Sequence, residues 1–223
     1  MHVARTPEIR SLYDYFISNE ETMLFELREL PMELLVHVVD ATESITELKW
    51  ARDRYRNQED IGGAFFDVEY DMAHFKRGET KKVDKAGWSL PNIRLHGGVC
   101  ADQAYFAVAV GKSLGVPTAY TVGTGSELSH AWVGFLQRDP EDRSRVLWNA
   151  QSGRYEDYQF VRGNSINPRD GNVISDSELS LLAAHAQTNR DYRLAAAALI
   201  DAASYIRQRA RRDPRELGRA LDT

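Results

Sequence analysis

The stretch GGVCADQAYF, residues 97–106, places the only cysteine of the chain between a glycine pair and the beginning of a helical pattern. The first amide groups of a helix have no partner within the helix and carry partial positive charge. They therefore stabilise a thiolate and lower the pKa of a cysteine at that position. The thiolate is the form of cysteine that attacks a carbonyl carbon. Cys100 is therefore the candidate nucleophile.

The residues that follow predict an α+β core with an antiparallel sheet. Apolar residues over 101–114 favour a mostly buried helix that ends at Gly115. Short polar turns separate the next apolar segments, which are typical of antiparallel strands: 118–122, 130–136 and 145–149. Cys100 thus lies at the helix tip, and His130 begins a strand that is predicted to pack against the helix.

The region before the cysteine is predicted to contain helices, a strand and a loop. Apolar residues share helix faces over the first 60 residues, and Gly62 with Gly63 is expected to end this helical region. Apolar and acidic residues alternate over 66–72, which is typical of a half-buried strand. The polar stretch 76–96 contains glycines and a proline, so it is predicted to be a loop that leads into Cys100.

The end of the chain is predicted to form a helical pair. One helix begins near Ser175, and a longer alanine-rich helix covers about 192–206. The pair resembles a single helical-hairpin repeat of the tetratricopeptide kind, which does not bury its own apolar face. It either packs on the core or begins a helical repeat region of a longer protein. We predict three regions: an N-terminal helical layer at 1–60, a core at 61–172 and the C-terminal helical pair at 173–223.

Composition limits the classes of function. The 223 residues carry a formal net charge of -5, which predicts no nucleic-acid partner. No run of about 18 apolar residues occurs, and the first residues lack the pattern of a signal peptide, so we expect no membrane association. The compartment stays open, because the chain could be an excerpt of a longer protein.

Metal and disulfide chemistry are not expected either. One cysteine excludes an internal disulfide and a four-thiolate zinc site. The histidines His37, His74 and His185 lack the spacing of metal ligands. We therefore expect no metal and no cofactor.

Residues 95–152 resemble the core of the transglutaminase-like superfamily of papain-like cysteine enzymes. The matching features are G-x-C before a helix, a helix that ends in LGVPT, a strand that runs into VG, and HAWV at the start of the next strand. The resemblance implies a papain-like, transglutaminase-like α+β fold. It implies Cys100 as nucleophile, His130 as general base, and a peptide or protein substrate.

The third catalytic position departs from the family pattern. The family usually has an aspartate on the strand after the histidine strand, whereas this chain offers Asn149 there and no aspartate before Asp157. An amide oxygen can orient an imidazole by accepting its hydrogen bond, as in papain-type proteases, but it adds no negative charge. Asn149 and Asp157 remain alternatives for this role.

Two functions follow from these residues. The first is a cysteine-dependent acyl-transfer enzyme, a peptidase or amidase, whose oxyanion would be bound by the Cys100 amide and one donor from Trp88, Asn92 or His96. Gln103 either stabilises the helix start or faces the substrate. The second is a catalytically inactive scaffold that binds a peptide or protein partner, with the C-terminal helices as a further protein-binding surface.

Overall fold

The computed structural model describes residues 7–124, 129–154 and 163–185. Within these residues the chain is an α+β protein with a five-stranded antiparallel sheet, which confirms the predicted class. The helices are α1 Ile9–Asn19, α2 Met32–Val39, α3 Ile45–Tyr55, α4 Ile61–Phe66, α5 Met72–Arg77, α6 Lys82–Ala86, α7 Leu90–His96, α8 Cys100–Ser113 and α9 Asp176–His185. The strands are β1 Thr118–Thr124, β2 Ser129–Arg138, β3 Val146–Asn149, β4 Asn164–Ile166 and β5 Val173–Ser175.

The sheet has the strand order β3-β2-β1-β4-β5. Strands β1 and β2 pair without interruption from Thr118 opposite Phe135 to Thr124 opposite Ser129. The three strands predicted from the sequence agree with β1, β2 and β3. The sequence analysis missed β4 and β5, which have three residues each and are too short to show a periodic pattern.

Helix α8 is the centre of the core. It packs against β1 and β2 and also against α3, α4 and α7, so nearly its whole circumference is buried. A helix that is buried on all sides is expected to be apolar all round. The hydroxyl of Thr118 donates to the carbonyl of Val108 at 3.0 Å, and Gly111 leaves no room for a Cβ beside Thr118. The helix and the sheet therefore approach each other closely.

The two faces of the sheet pack on different elements. Paired residues of an antiparallel ladder share a face, so Thr118 and Phe135 mark the face that carries α8. Leu136 lies on the opposite face, where it shares an apolar cluster with Leu179 and Ala183 of α9. The sheet is therefore the middle layer between α8 and α9.

The helices α1 to α3 lie within the first 60 residues, where the apolar spacing predicts helices. The phenol of Tyr15 donates to the carbonyl of Ser113 at 2.8 Å, and the amide of Leu24 donates to the carbonyl of Leu114 at 2.9 Å. Helix α3 begins with a capping box between Ser44 and Glu47. This layer is attached to the carboxyl end of α8.

The strand predicted over 66–72 is wrong. The region lies between α4 and α5, and its one β interaction is an isolated bridge from Tyr70 to Gly98. Local caps decide the outcome: Asp60 accepts from the amide of Gly62, and Asp71 accepts from the amide of His74. Gly62 and Gly63 consequently lie within α4 and do not end the helical region.

The loop predicted over 76–96 is also wrong. It contains α6 and α7, and α7 begins with Ser89 as its cap and with Pro91 in its first turn. The buried side chains of Val83, Leu90 and Ile93 attach both helices to the core.

Helix α9 agrees with the first of the two predicted C-terminal helices, and the second one, over 192–206, lies outside the described residues. The division into three regions remains a prediction. Across the described segments, no helix has the length and apolar character that a membrane crossing requires.

Candidate active site

Cys100 is the first residue of α8, and its side chain is partly exposed. The turn before it is fixed to the chain between α4 and α5, because the amide of Gly98 donates to the carbonyl of Glu69 at 2.9 Å and the carbonyl of Gly98 accepts from Asp71 at 2.8 Å. Gly97 has a φ of 76°, which favours glycine. The predicted position of the thiol at a helix start agrees with the structure.

A buried ion pair holds the first turn of α8. One oxygen of Asp102 accepts from the amide of Val99 at 2.8 Å, and the other lies 2.8 Å from Nζ of Lys81. Asp102 is 2% exposed, and the ammonium group of Lys81 also lies 5.0 Å from the centre of the Trp88 ring. Asp102 therefore stabilises the start of α8. The sequence analysis missed Lys81, whose partner is 21 residues away.

The second site residue, His130, is held in one tautomer. Its Nε2 lies 2.6 Å from the carbonyl oxygen of Gly153, and a carbonyl can only accept, so the proton is on Nε2. Burial lowers the pKa of His130, and the hydrogen bond to Gly153 opposes this shift. At neutral pH the imidazole is therefore neutral, with Nδ1 as its basic nitrogen.

The structure does not bring the side chains of Cys100 and His130 into contact. By the β1–β2 register, His130 lies on the same face of the sheet as Trp132. The indole of Trp132 stacks on the imidazole, with ring centres 6.0 Å apart. Helix α8 lies on the other face, with Thr118. Between these two described residues there is no hydrogen bond or ion pair.

Asn149 lies at a distance from His130. It pairs with Phe135, five positions along β2 from His130. Its amide nitrogen donates to Oε1 of Gln137 at 2.9 Å, and its oxygen accepts from the amide of Gln151 at 2.9 Å. It also lines a cavity of about 490 Å³ between the N-terminal layer and the β2–β3 hairpin. Asp157, the alternative, lies outside the described residues.

The other candidates from the sequence have structural partners. Asn92 donates to the carbonyls of Ala86 and Gly87 and closes the turn between α6 and α7. Gln103 is buried and donates to the carbonyl of Val68 at 2.7 Å, so it anchors α8 and does not face a substrate. In the described part of the chain no group of three or more His, Cys, Asp or Glu side chains has the arrangement of a metal site.

One further residue near the thiol was missed. Tyr120 lies on the α8 face of β1, and burial, followed by the charges of Cys100 and Asp102, raises its pKa to about 12. Tyr120 is therefore within electrostatic range of the thiol. The alternation in β1 indicated a strand but not which of its faces carries the helix.

Comparisons with known proteins give little further information. No family model matches the chain, and no curated protein sequence matches it. A solved structure from Cytophaga hutchinsonii, which bears the provisional name of a cysteine protease, is similar over 58% of this chain, with 17% identity and a TM-score of 0.38. The similar region spans 46% of that protein, less than half of its length. A similarity at this level carries no functional argument.

Proposed function

We propose that the protein is a cysteine-dependent acyl-transfer enzyme of the transglutaminase-like type, which hydrolyses peptide or side-chain amides. Cys100 is the nucleophile and His130 the general base. The observation that carries the proposal is the hydrogen bond from Nε2 of His130 to the carbonyl of Gly153, 2.6 Å long. It supplies a neutral imidazole whose Nδ1 can accept the proton of a thiol.

The proposed reaction has two halves. The proton of Cys100 moves to Nδ1 of His130, and the thiolate sulfur forms a bond to the amide carbonyl carbon. The same proton then passes to the leaving amine as the C–N bond breaks, which leaves a thioester on Cys100. Water attacks the thioester carbonyl carbon and gives a proton to Nδ1; the C–S bond then breaks, the acid leaves, and the proton returns from Nδ1 to the sulfur of Cys100. The backbone amide of Cys100, at the start of α8, would donate to the oxyanion.

The third role is proposed for the main chain. The residue that accepts from the base fixes its tautomer and orientation, and the carbonyl of Gly153 accepts from His130 here. Asn149 is engaged with Gln137 and Gln151 and does not contact His130. This carbonyl would supply the third role in a chain whose strand after the histidine strand carries Asn149 in place of the usual aspartate.

The proposal includes a movement at the start of β2, because the register places His130 away from the α8 face. The carbonyl of Gly153 must move with the imidazole, because its hydrogen bond fixes Nδ1 as the basic nitrogen. We expect the imidazole to reach Cys100 in part of the substrate-free molecules, and the contact to tighten when substrate is bound.

The second candidate is the inactive scaffold that binds a peptide or protein partner. The separation of Cys100 from His130 on the two sides of the sheet favours it. Under this proposal the thiol has no base, and the surface beside α8 serves binding alone.

Alkylation of the single cysteine by iodoacetamide separates the two candidates. The enzyme proposal predicts a rate that persists well below pH 8 and falls at least about tenfold in His130→Ala, because loss of the imidazole leaves an ordinary thiol. Cys100→Ala is the control for labelling elsewhere. An alkylation rate whose pH dependence has its midpoint at about 8.5, and which is unchanged in His130→Ala, would favour the scaffold.

A further inference from the structure

The face of the sheet that carries α8 is only partly covered. Helix α8 lies over β2 and β1, and Val133 and Phe135 beneath it are fully buried. The register continues from Val122 opposite Asn164 in β4 to Ile166 opposite Val173 in β5. Since side chains two positions apart share a face, the α8 face continues across β4 and β5.

Apolar side chains occupy most of this uncovered part, and the exposed Asn164, opposite Val122, is a polar residue on the same face. Their exposure rises from the helix to the edge of the sheet: Tyr120 37%, Val122 39%, Ile166 60% and Val173 62%. The alternate residues Ser165 and Ile174 are buried on the opposite face, beside α9. The four exposed side chains therefore form one continuous surface, which we call the apolar platform.

The platform begins on the face of β1 against which α8, the helix that starts at Cys100, packs. The charges of Cys100 and Asp102 act on the phenol of Tyr120, which agrees with this placement. The platform thus extends from β1 beside α8 to β5, the last strand of the sheet among the described residues. The acyl part of a substrate remains attached to the sulfur through both halves of a thioester reaction, so it occupies the space beside Cys100 longer than the leaving amine does.

We propose that the apolar platform binds the acyl part of the substrate, and that the enzyme selects peptides with apolar side chains in the residues on the acyl side of the scissile bond. This inference rests on the proposed function. A hydrophobic surface discriminates mainly by the apolar area that it covers, so selection for a branched apolar side chain over hydrogen is expected to be at least about tenfold.

Two affinity labels test the platform, the chloromethyl ketones of N-acetyl-Leu-Leu-Leu and of N-acetyl-Gly-Gly-Gly, which are long enough to extend across strands about 4.8 Å apart. Each forms a bond from the sulfur of Cys100 to the methylene carbon and releases chloride. We expect the leucine label to react at least about tenfold faster. The variant Ile166→Ser/Val173→Ser should reduce this ratio towards one without changing the iodoacetamide rate. Both residues are exposed, so the variant should fold, and Ile9→Ser, exposed on α1, is the matched control.

The outcomes distinguish the two proposals. A fast, His130-dependent iodoacetamide reaction with equal rates for both labels would overturn the platform and leave the enzyme proposal standing. An ordinary thiol that still prefers the leucine label, with the preference lost in Ile166→Ser/Val173→Ser, would overturn the enzyme proposal and leave the platform as a binding surface. A leucine preference unchanged in that variant would also overturn the platform.

Discussion

Asn149 connects two strands of a hairpin through its side chain, and its hydrogen bonds define what its removal should do. Asn149→Ala removes the bonds to Gln137 and to the amide of Gln151. We expect a loss of about 1 kcal/mol in the free energy of unfolding and no change in the alkylation rate of Cys100. Urea unfolding and iodoacetamide kinetics on the same samples measure both quantities. A tenfold slower alkylation at unchanged stability would return the orienting role to Asn149.

His37 has a pKa far below the ordinary value of a histidine. It is 1% exposed in α2, and its ring meets the edge of Trp148 with centres 6.2 Å apart. Burial lowers its pKa to about 4, while the charge of Asp40 raises it and that of Lys112 lowers it. The folded protein therefore keeps His37 neutral through mildly acidic pH.

This shift predicts a loss of stability between about pH 6.5 and 4. Over that range the unfolded chain binds a proton at residue 37 that the folded protein does not bind, so the free energy of unfolding falls as pH falls. A shift of this size corresponds to about 3 kcal/mol. Urea unfolding at pH 7, 5.5 and 4 measures it, and His37→Leu should flatten that part of the profile. An identical profile in the variant would contradict the assignment.

Sequence patterns indicate candidate side chains and do not reveal main-chain roles. Cys100 and His130 became candidates because their neighbours, a glycine pair with a helix and a strand with HAWV, are local signals. The partners of His130 and Asp102 could not be found in this way. Gly153 acts through a carbonyl that every residue has, and Lys81 meets Asp102 only because α8 and the chain before α6 fold together.

At the scale of elements, the turn before α8 requires a residue that adopts a positive φ and has no Cβ. Gly97 has a φ of 76°, and a Cβ there would overlap the carbonyl oxygen of Glu69. Gly78 ends α5 with a φ of 65° and has nothing within 4 Å of a Cβ. Both positions have a positive φ, but Gly78 has a ψ of 21° in the left-handed helical region, whereas Gly97 has a ψ of -179° in a region that only glycine adopts readily. They also differ in their surroundings.

We therefore expect Gly97→Ala to destabilise the protein well beyond Gly78→Ala. The second change should cost about 1 kcal/mol, the cost of the left-handed conformation alone. The first should cost at least about 3 kcal/mol, since the overlap moves main-chain atoms. Thermal unfolding of both variants gives the comparison. Equal losses would mean that the turn before Cys100 adapts to a side chain.

The elements that the sequence missed share a physical cause. The alternation over 66–72 suggested a strand, but Asp60 and Asp71 cap short helices on either side, and a local cap competes directly with strand pairing. Strand β4 pairs through non-local contacts that no short window of sequence contains. Helix α8, by contrast, is long and strongly apolar, and its limits were predicted to within one residue.

At the scale of the whole molecule, the N-terminal layer completes the core. Tyr15 and Leu24 bond to the carboxyl end of α8, and Gly115 leaves no space beside Met23. Deletion of residues 1–60 would expose one side of α8. We expect the chain 61–223 to lose cooperative urea unfolding and near-ultraviolet dichroism, with the full chain as control. A sigmoidal transition near the original midpoint would instead show that the core at 61–172 folds without this layer.

The acceptor for His130 is a main-chain oxygen, so a scan that replaces side chains one by one passes over it. Every amino acid at position 153 would still present that carbonyl, and only its direction could change. Gly153 has a φ of 84°, and a Cβ there would lie 2.7 Å from the Phe65 ring. Mutational maps of this protein would therefore record residue 153 as a packing position beside Phe65. Replacement of the peptide bond after residue 153 by an ester weakens this carbonyl as an acceptor. Such a replacement would reveal the electrostatic effect of the carbonyl on His130.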